Sequence, residues 1–142
     1  MENLSPSVQL FLEMAKAQTI LTRRFDAGLG GLGLNEFMIL HQLHISEDET
    51  LRRTDLADNV GLTQSGITRL LAPMEKIGLV KRKACAEDAR VSYVVLAPGG
   101  KRKYEEAVER AELICGELLA AAHVENPESL RQTIRAIGLA RI

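Results

Sequence analysis

The stretch Thr54-Asp-Leu-Ala-Asp-Asn-Val-Gly-Leu-Thr-Gln-Ser-Gly-Ile-Thr-Arg-Leu-Leu71 decides the fold. It has the spacing of two short helices that cross closely. Ala57 is small enough for the second helix to approach the first, and Gly61, four residues on, permits the positive φ of the turn between them. Leu56, Val60, Leu62, Ile67 and Leu70 form the apolar set that fills the space between the two helices. The pattern predicts helices over about Arg53 to Val60 and Gln64 to Ile77, with Thr63 as N-cap of the second. That cap places Gln64, Ser65, Thr68 and Arg69 on the first turns of the second helix, the end that enters the major groove in helix-turn-helix units. Gln can read adenine, Arg can read guanine or a phosphate, and Ser and Thr accept either kind of partner. Unpaired N–H groups at a helix start favour phosphate as well.

Two strand-like stretches follow, Leu79 to Lys83 and the β-rich VSYVVL of Val91 to Leu96. The ACAEDAR between them is too long for a tight turn and reads as a flexible hairpin tip, so the pair forms a wing. Lys81, Arg82 and Lys83 lie on the descending strand, and Arg90 follows the tip. An arginine projecting from a hairpin suits a narrow minor groove, where the negative potential is enhanced. Asp88, two residues before it, can orient the guanidinium in a bidentate pair.

Charge supports this reading by its distribution. The net charge is −1, but residues 52 to 103 carry eleven bases against five acids, and the two flanks together carry seven against fourteen. A basic middle between acidic flanks points to double-stranded DNA as a partner. With 46% apolar and 26% charged residues, few aromatics and no Trp, the chain has the composition of a globular protein of one domain, 1–142, packed through aliphatic helices. No apolar run approaches the ~18 residues that span a bilayer, so no membrane is expected. MENLSPSVQLFLEM carries no basic n-region and does not read as a secretory signal. Two cysteines 30 positions apart, Cys85 and Cys115, form neither a disulfide framework nor a zinc site. The expectation is a reduced, cytoplasmic protein without metal or cofactor. No nucleophile–base pair or metal-ligand cluster is apparent, so no catalytic residue is assigned and no enzyme is expected.

Outside the helix-turn-helix, Pro6 to about Asp26 has a helical pattern that is apolar over much of its circumference and calls for burial on more than one side. A second helix runs from about Leu34 to Ile45, with Gly33 as N-cap and Leu32 set to staple onto Phe37. Gly28-Leu-Gly-Gly-Leu-Gly33 matches G-x-G-x-x-G, but it follows a helix and lacks a βαβ setting, so it reads as an inter-helix loop. Pro98 opens a long helix to about His123, and Asn126-Pro127 starts a last one to about Leu139. The fold class is therefore mainly α (α+β): a winged helix-turn-helix lobe over 34–97, flanked by long N- and C-terminal helices, 5–28 and 98–140. Those helices carry more apolar surface than the lobe can cover, and pairing with a second copy through them is the simplest way to bury it.

From about Leu32 to Gly100 the chain resembles the MarR family of winged-helix regulators. The matching stretches are Asp55-Leu-Ala-Asp-Asn-Val-Gly-Leu-Thr63, Ile67-Thr-Arg-Leu-Leu71, Met74-Glu-Lys-Ile-Gly-Leu-Val-Lys-Arg82 and Asp88-Ala-Arg-Val-Ser-Tyr-Val-Val-Leu96. The resemblance implies a homodimer on a pseudo-palindromic operator. It also implies a repressor or activator whose grip changes when a small aromatic or phenolic effector binds between the dimer helices and the winged lobe. His41 and His44 share the stripe of Leu34 and Phe37 on a helix that borders that crevice in the family, where either could hydrogen-bond an acidic ligand. Satisfied, partly buried histidines are the plainer alternative.

Three features depart from the family pattern. Gly66 stands where a side chain often touches DNA. Pro73 removes a backbone bond to the Arg69 carbonyl inside the recognition helix and should bend it. Ala97-Pro98-Gly99-Gly100 replaces a hydroxyl-capped start of the long helix, at an expected cost of ~1 kcal/mol. Two other functions fit part of the pattern. One is a winged helix used only for protein contacts; the other is redox sensing through Cys85, which lies near Lys81, Arg82 and Lys83, in surroundings that favour thiolate. Cys115 lies on an apolar stripe with Ala111 and Leu118 and reads as core.

Overall fold

Leu29, Ile39, Leu40, Leu43, Leu56, Ile67 and Met74 are sealed from solvent and mark the centre of the computed structural model, which describes residues 3–140. The first helix, α1 (Pro6–Gly28), starts on Ser5, whose Oγ accepts a hydrogen bond from the Val8 N–H at 3.3 Å. Only Phe25 of this helix is buried. Next comes α2 (Leu34–His44), capped by Gly33, with Ile39, Leu40 and Leu43 in the core. A single 3-10 turn at Glu47–Glu49 leads into β1 (Thr50–Arg52).

The helix-turn-helix is α3 (Arg53–Val60) and α4 (Gln64–Lys76). Gly61 between them takes φ 73°, a left-handed conformation that glycine adopts without a Cβ penalty. The Leu62 N–H bonds back to the Ala57 carbonyl at 2.9 Å, closing the end of α3. Leu56, Ala57 and Ile67 are buried as the spacing requires, while Val60, Leu62 and Leu70 pack at the margin. Leu71 and Met74 add a second buried turn of α4 that the sequence pattern did not single out.

The wing is β2 (Val80–Ala84) and β3 (Ser92–Leu96), paired antiparallel from Val80↔Leu96 to Ala84↔Ser92. β1 joins the other edge of β3, giving a three-stranded sheet of order β1-β3-β2. Then α5 (Pro98–Ala121) and α6 (Glu128–Leu139) complete the chain. Helix and strand ends differ from the sequence expectation by one or two residues, as frayed ends do.

The core runs through residue 97 without a break. Tyr104, Ala107, Ala111 and Ile114 of α5 are buried with α1 and α2, so the first half of the long helix belongs to the winged lobe. The glycines at its start have a packing role. A Cβ on Gly99 would lie 2.9 Å from the Gly78 carbonyl oxygen, and one on Gly100 would overlap the Leu79 carbonyl. α5 thus begins pressed against the backbone between α4 and β2, where neither position tolerates a side chain. Among the described residues, no helix is long and apolar enough to cross a membrane.

Candidate nucleic-acid interface

The start of α4 is prepared by its own cap. Thr63 Oγ1 accepts the Gly66 N–H at 3.0 Å and lies 3.2 Å from Ser65 Oγ. Gln64, Ser65, Thr68 and Arg69 are all exposed along the first two turns. Thr63 is thus engaged in holding the helix start, and Gly66 keeps the backbone there uncovered.

Sheet pleating divides the three basic residues of β2. Successive side chains alternate between faces, so Arg82 shares the face of buried Val80, and Lys81 and Lys83 take the other. Arg82 Nη2 reaches Glu75 Oε2 of α4 at 3.7 Å, an exposed pair that joins the wing to the recognition helix. At the tip, Asp88 receives three hydrogen bonds from Arg90: backbone N–H to Oδ1 at 2.9 Å, Nε to Oδ1 at 3.2 Å and Nη2 to Oδ2 at 3.3 Å. These bonds hold the Asp88 carboxyl below the usual aspartate range. The Arg90 side chain itself is 90% exposed, so it is oriented yet available.

Between α4 and the wing lies a cleft of about 480 Å³, lined by Arg52, Arg53, Thr54, Gln64, Arg82, Ala84, Ala89, Arg90, Val91 and Ser92. Four guanidinium-bearing residues on one concavity make a strongly cationic surface. Gln64, Arg82 and Arg90 were candidates from the sequence, and the fold brings them together. Arg52, Arg53 and Thr54 were missed. Arg53 Nη1 donates to Thr68 Oγ1 at 3.1 Å, spanning from the first residue of α3 to the second turn of α4, while its Nε is buried without a partner. The available signal was the Arg52-Arg53 pair at the N-cap and first residue of α3, counted only as charge. Lys81, Lys83, Ser65 and Arg69 do not line the cleft.

A second concavity, of about 300 Å³, opens between α1, α2 and α5. Its lining includes Phe25, Phe37, His41, Tyr104, Val108, Ala111, Glu112 and Cys115. His41 Nδ1 and the Tyr104 hydroxyl are 2.7 Å apart, and Phe37 stacks on Tyr104 with ring centroids 5.5 Å apart. His44 packs its ring 4.7 Å from that of Tyr104, and its buried Nδ1 has no partner. Burial raises the Tyr104 hydroxyl above the ordinary tyrosine value. Cys115, expected as closed core, is half-buried at this lining, its thiol pushed up by burial and then by the charge of Glu112. Cys85 is half-buried just beyond β2, its N–H donating to the Val91 carbonyl at 3.3 Å. Among the described residues, no three His, Cys, Asp or Glu side chains are placed to hold a metal ion.

Residues 32–92 match the family model described as MarR family. The HTH-type transcriptional repressor YetL of Bacillus subtilis is 31% identical over 102 residues, covering 70% of this chain but only 61% of the repressor, so the match spans less than two thirds of that relative. The transcriptional regulator BldR of Sulfolobus solfataricus superposes with a TM-score of 0.82 at 29% identity, over 96% of this chain and 97% of BldR. The MarR family regulator Sco3205 of Streptomyces coelicolor, solved in complex with DNA, gives 0.77 at 25% identity, over 96% and 89%. Matching segment, shared architecture and the helix-turn-helix with its wing agree: residues 32–92 match the MarR family model, and the chain as a whole is similar to winged helix-turn-helix transcriptional regulators.

Proposed function

We propose that this chain acts as a homodimeric, sequence-specific repressor on double-stranded DNA, released from a pseudo-palindromic operator when a small aromatic or phenolic ligand enters the crevice beside α2. The observation that carries the reading is the convergence of Arg53, Arg82, Arg90 and Gln64 on one cleft between recognition helix and wing. In this reading Gln64, Ser65, Thr68 and Arg69 face the major groove and Arg90 enters the minor groove. Lys81, Lys83 and Arg82 meet phosphates, and Thr63 presents the helix start. The DNA bound to Sco3205 supports the partner class.

Pairing rests on apolar surface left open on the single chain. Val8, Leu10, Phe11 and Leu12 of α1, and Leu130 and Ile134 of α6, are each between 44% and 56% exposed. Patches of this kind are typical of surfaces that a partner covers. Release rests on the position of Tyr104 and His41, which tie α5 to α2 across the crevice while α2 packs on the helix-turn-helix.

Selection of bound sites from random duplexes, at fixed salt and with or without aromatic ligands, tests the whole reading. Enriched half-sites about one helical turn apart are expected, with affinity falling steeply as salt rises. Gln64→Ala should shift base preference within the half-site. Failure to enrich any site, or binding indifferent to salt, overturns it.

A further inference from the structure

We propose that the crevice beside α2 takes an aromatic amine in its cationic form, in preference to an aromatic acid. The proposal rests on the reading of this crevice as the effector site and adds the charge of the ligand. Among the described residues, Glu112 carries the only formal charge in the lining, and no Lys or Arg contributes to it. The rest of the lining is aromatic or aliphatic apart from His41, Tyr104 and Cys115. A carboxylate brought into such a place would give up water without a cation to meet it, and would face a like charge. An ammonium would meet Glu112 and the π-faces of the stacked Phe37–Tyr104 pair, whose planes differ by 26°.

One neighbouring charge on the same side of α5 has the same sign. Glu105 lies seven residues before Glu112, two turns along the same side of α5, and is exposed. Arg24, next to Phe25 on α1, is already paired with Glu117 at 2.8 Å. His41 and the Tyr104 hydroxyl satisfy one another at 2.7 Å, which leaves the carboxylate as the strongest polar group for a ligand to find. The field of Glu112 reaches the lining, since it helps hold the Cys115 thiol in its neutral form. A volume of about 300 Å³ suits one ring with a short polar arm.

Calorimetric titration of the whole protein with phenethylamine, phenethyl alcohol and phenylacetate, matched in size and differing in charge, tests this. The work is done at about pH 8, above the ordinary histidine range. The amine should bind about tenfold more tightly than the alcohol, with the acid weakest. Glu112→Gln should bring the amine to the affinity of the alcohol and leave the alcohol unchanged; Glu112 is exposed, so this variant should fold. His41→Ala should weaken all the probes that bind. If the acid binds as tightly as the amine and His41→Ala weakens it, the crevice stands and the charge assignment is overturned. If Glu112→Gln leaves the ranking intact, the assignment is equally overturned. If none of the three binds, or His41→Ala changes nothing, the effector reading of the crevice fails and this proposal falls with it.

Discussion

At the wing tip, Asp88 accepts three hydrogen bonds from Arg90 while the guanidinium remains open to solvent. An exposed pair of this kind adds little stability; what it supplies is orientation. Because the folded carboxyl titrates below its unfolded value, the pair's contribution is complete at neutral pH and is lost only as acid carries the solution down through the lower value. An NMR titration should therefore find the Asp88 midpoint below ~3.9. Asp88→Asn makes the wing more positive, yet by releasing Arg90 it should weaken operator binding a few-fold in fluorescence anisotropy at fixed salt. A gain in affinity would show that charge alone governs the wing. Arg53 belongs to the same scale. Arg53→Ala removes the bond to Thr68 and one cation from the cleft, and should lower DNA affinity about tenfold with a salt slope smaller by ~1. Arg53→Lys should restore the slope but not the full affinity, since an ammonium lacks the fork that reaches both Thr68 and a phosphate. The Asp88–Arg90 pair was legible because its partners are two residues apart. Arg53 and Thr68 are fifteen apart on different helices, and only their crossing brings them together.

Among the elements, the start of α5 is one of three places where the sequence departs from the pattern it resembles, and Ala97-Pro98-Gly99-Gly100 reads as a weakened helix start. Tertiary packing gives it a reason. The helix starts where the Gly78 and Leu79 carbonyls leave no room for a Cβ. A side chain there would push α5 off the sheet and disturb the burial of Tyr104 and Ala107. Gly100→Ala should cost about 3 kcal/mol in urea unfolding, the upper range for overpacking a tight site, although alanine is the better helix former. A neutral or stabilising result would mean that the backbone yields easily at this junction. Pro73 teaches a related lesson. It lies three residues before the end of α4, and the helix continues through it to Lys76, because Leu71 and Met74 on either side are buried and hold the turn in place.

For the whole molecule, the large remaining feature is apolar surface on α1 and α6. No residue of α6 is buried, and Phe11, Leu12, Leu130 and Ile134 stand about half exposed on the single chain. If a second copy covers them, stability depends on protein concentration. Phe11→Glu combined with Ile134→Glu should convert a dimer into a monomer by light scattering, and remove the rise of Tm with concentration expected of the unaltered protein. A native chain that is monomeric at micromolar concentration would exclude this form of assembly. The variant should also lose cooperative binding to paired half-sites while retaining weak binding to one.

The local order of this protein was determined by its sequence. Glycine and proline punctuation, the Thr63 cap, and the 3.6- and 2-residue periods of apolar residues mark every helix and both wing strands to within a residue or two, because those signals act between near neighbours. The helix-turn-helix is the most legible part, since Ala57, Gly61, Leu56 and Ile67 are all answers to one local crossing. Tertiary structure alone decided where the charges and cavities lie. It split Lys81 and Lys83 from Arg82 by pleating, brought Arg53 to Thr68, and placed Glu112 at the lining of an aromatic crevice. Those facts depend on which faces of distant elements meet, and packing of the core sets that.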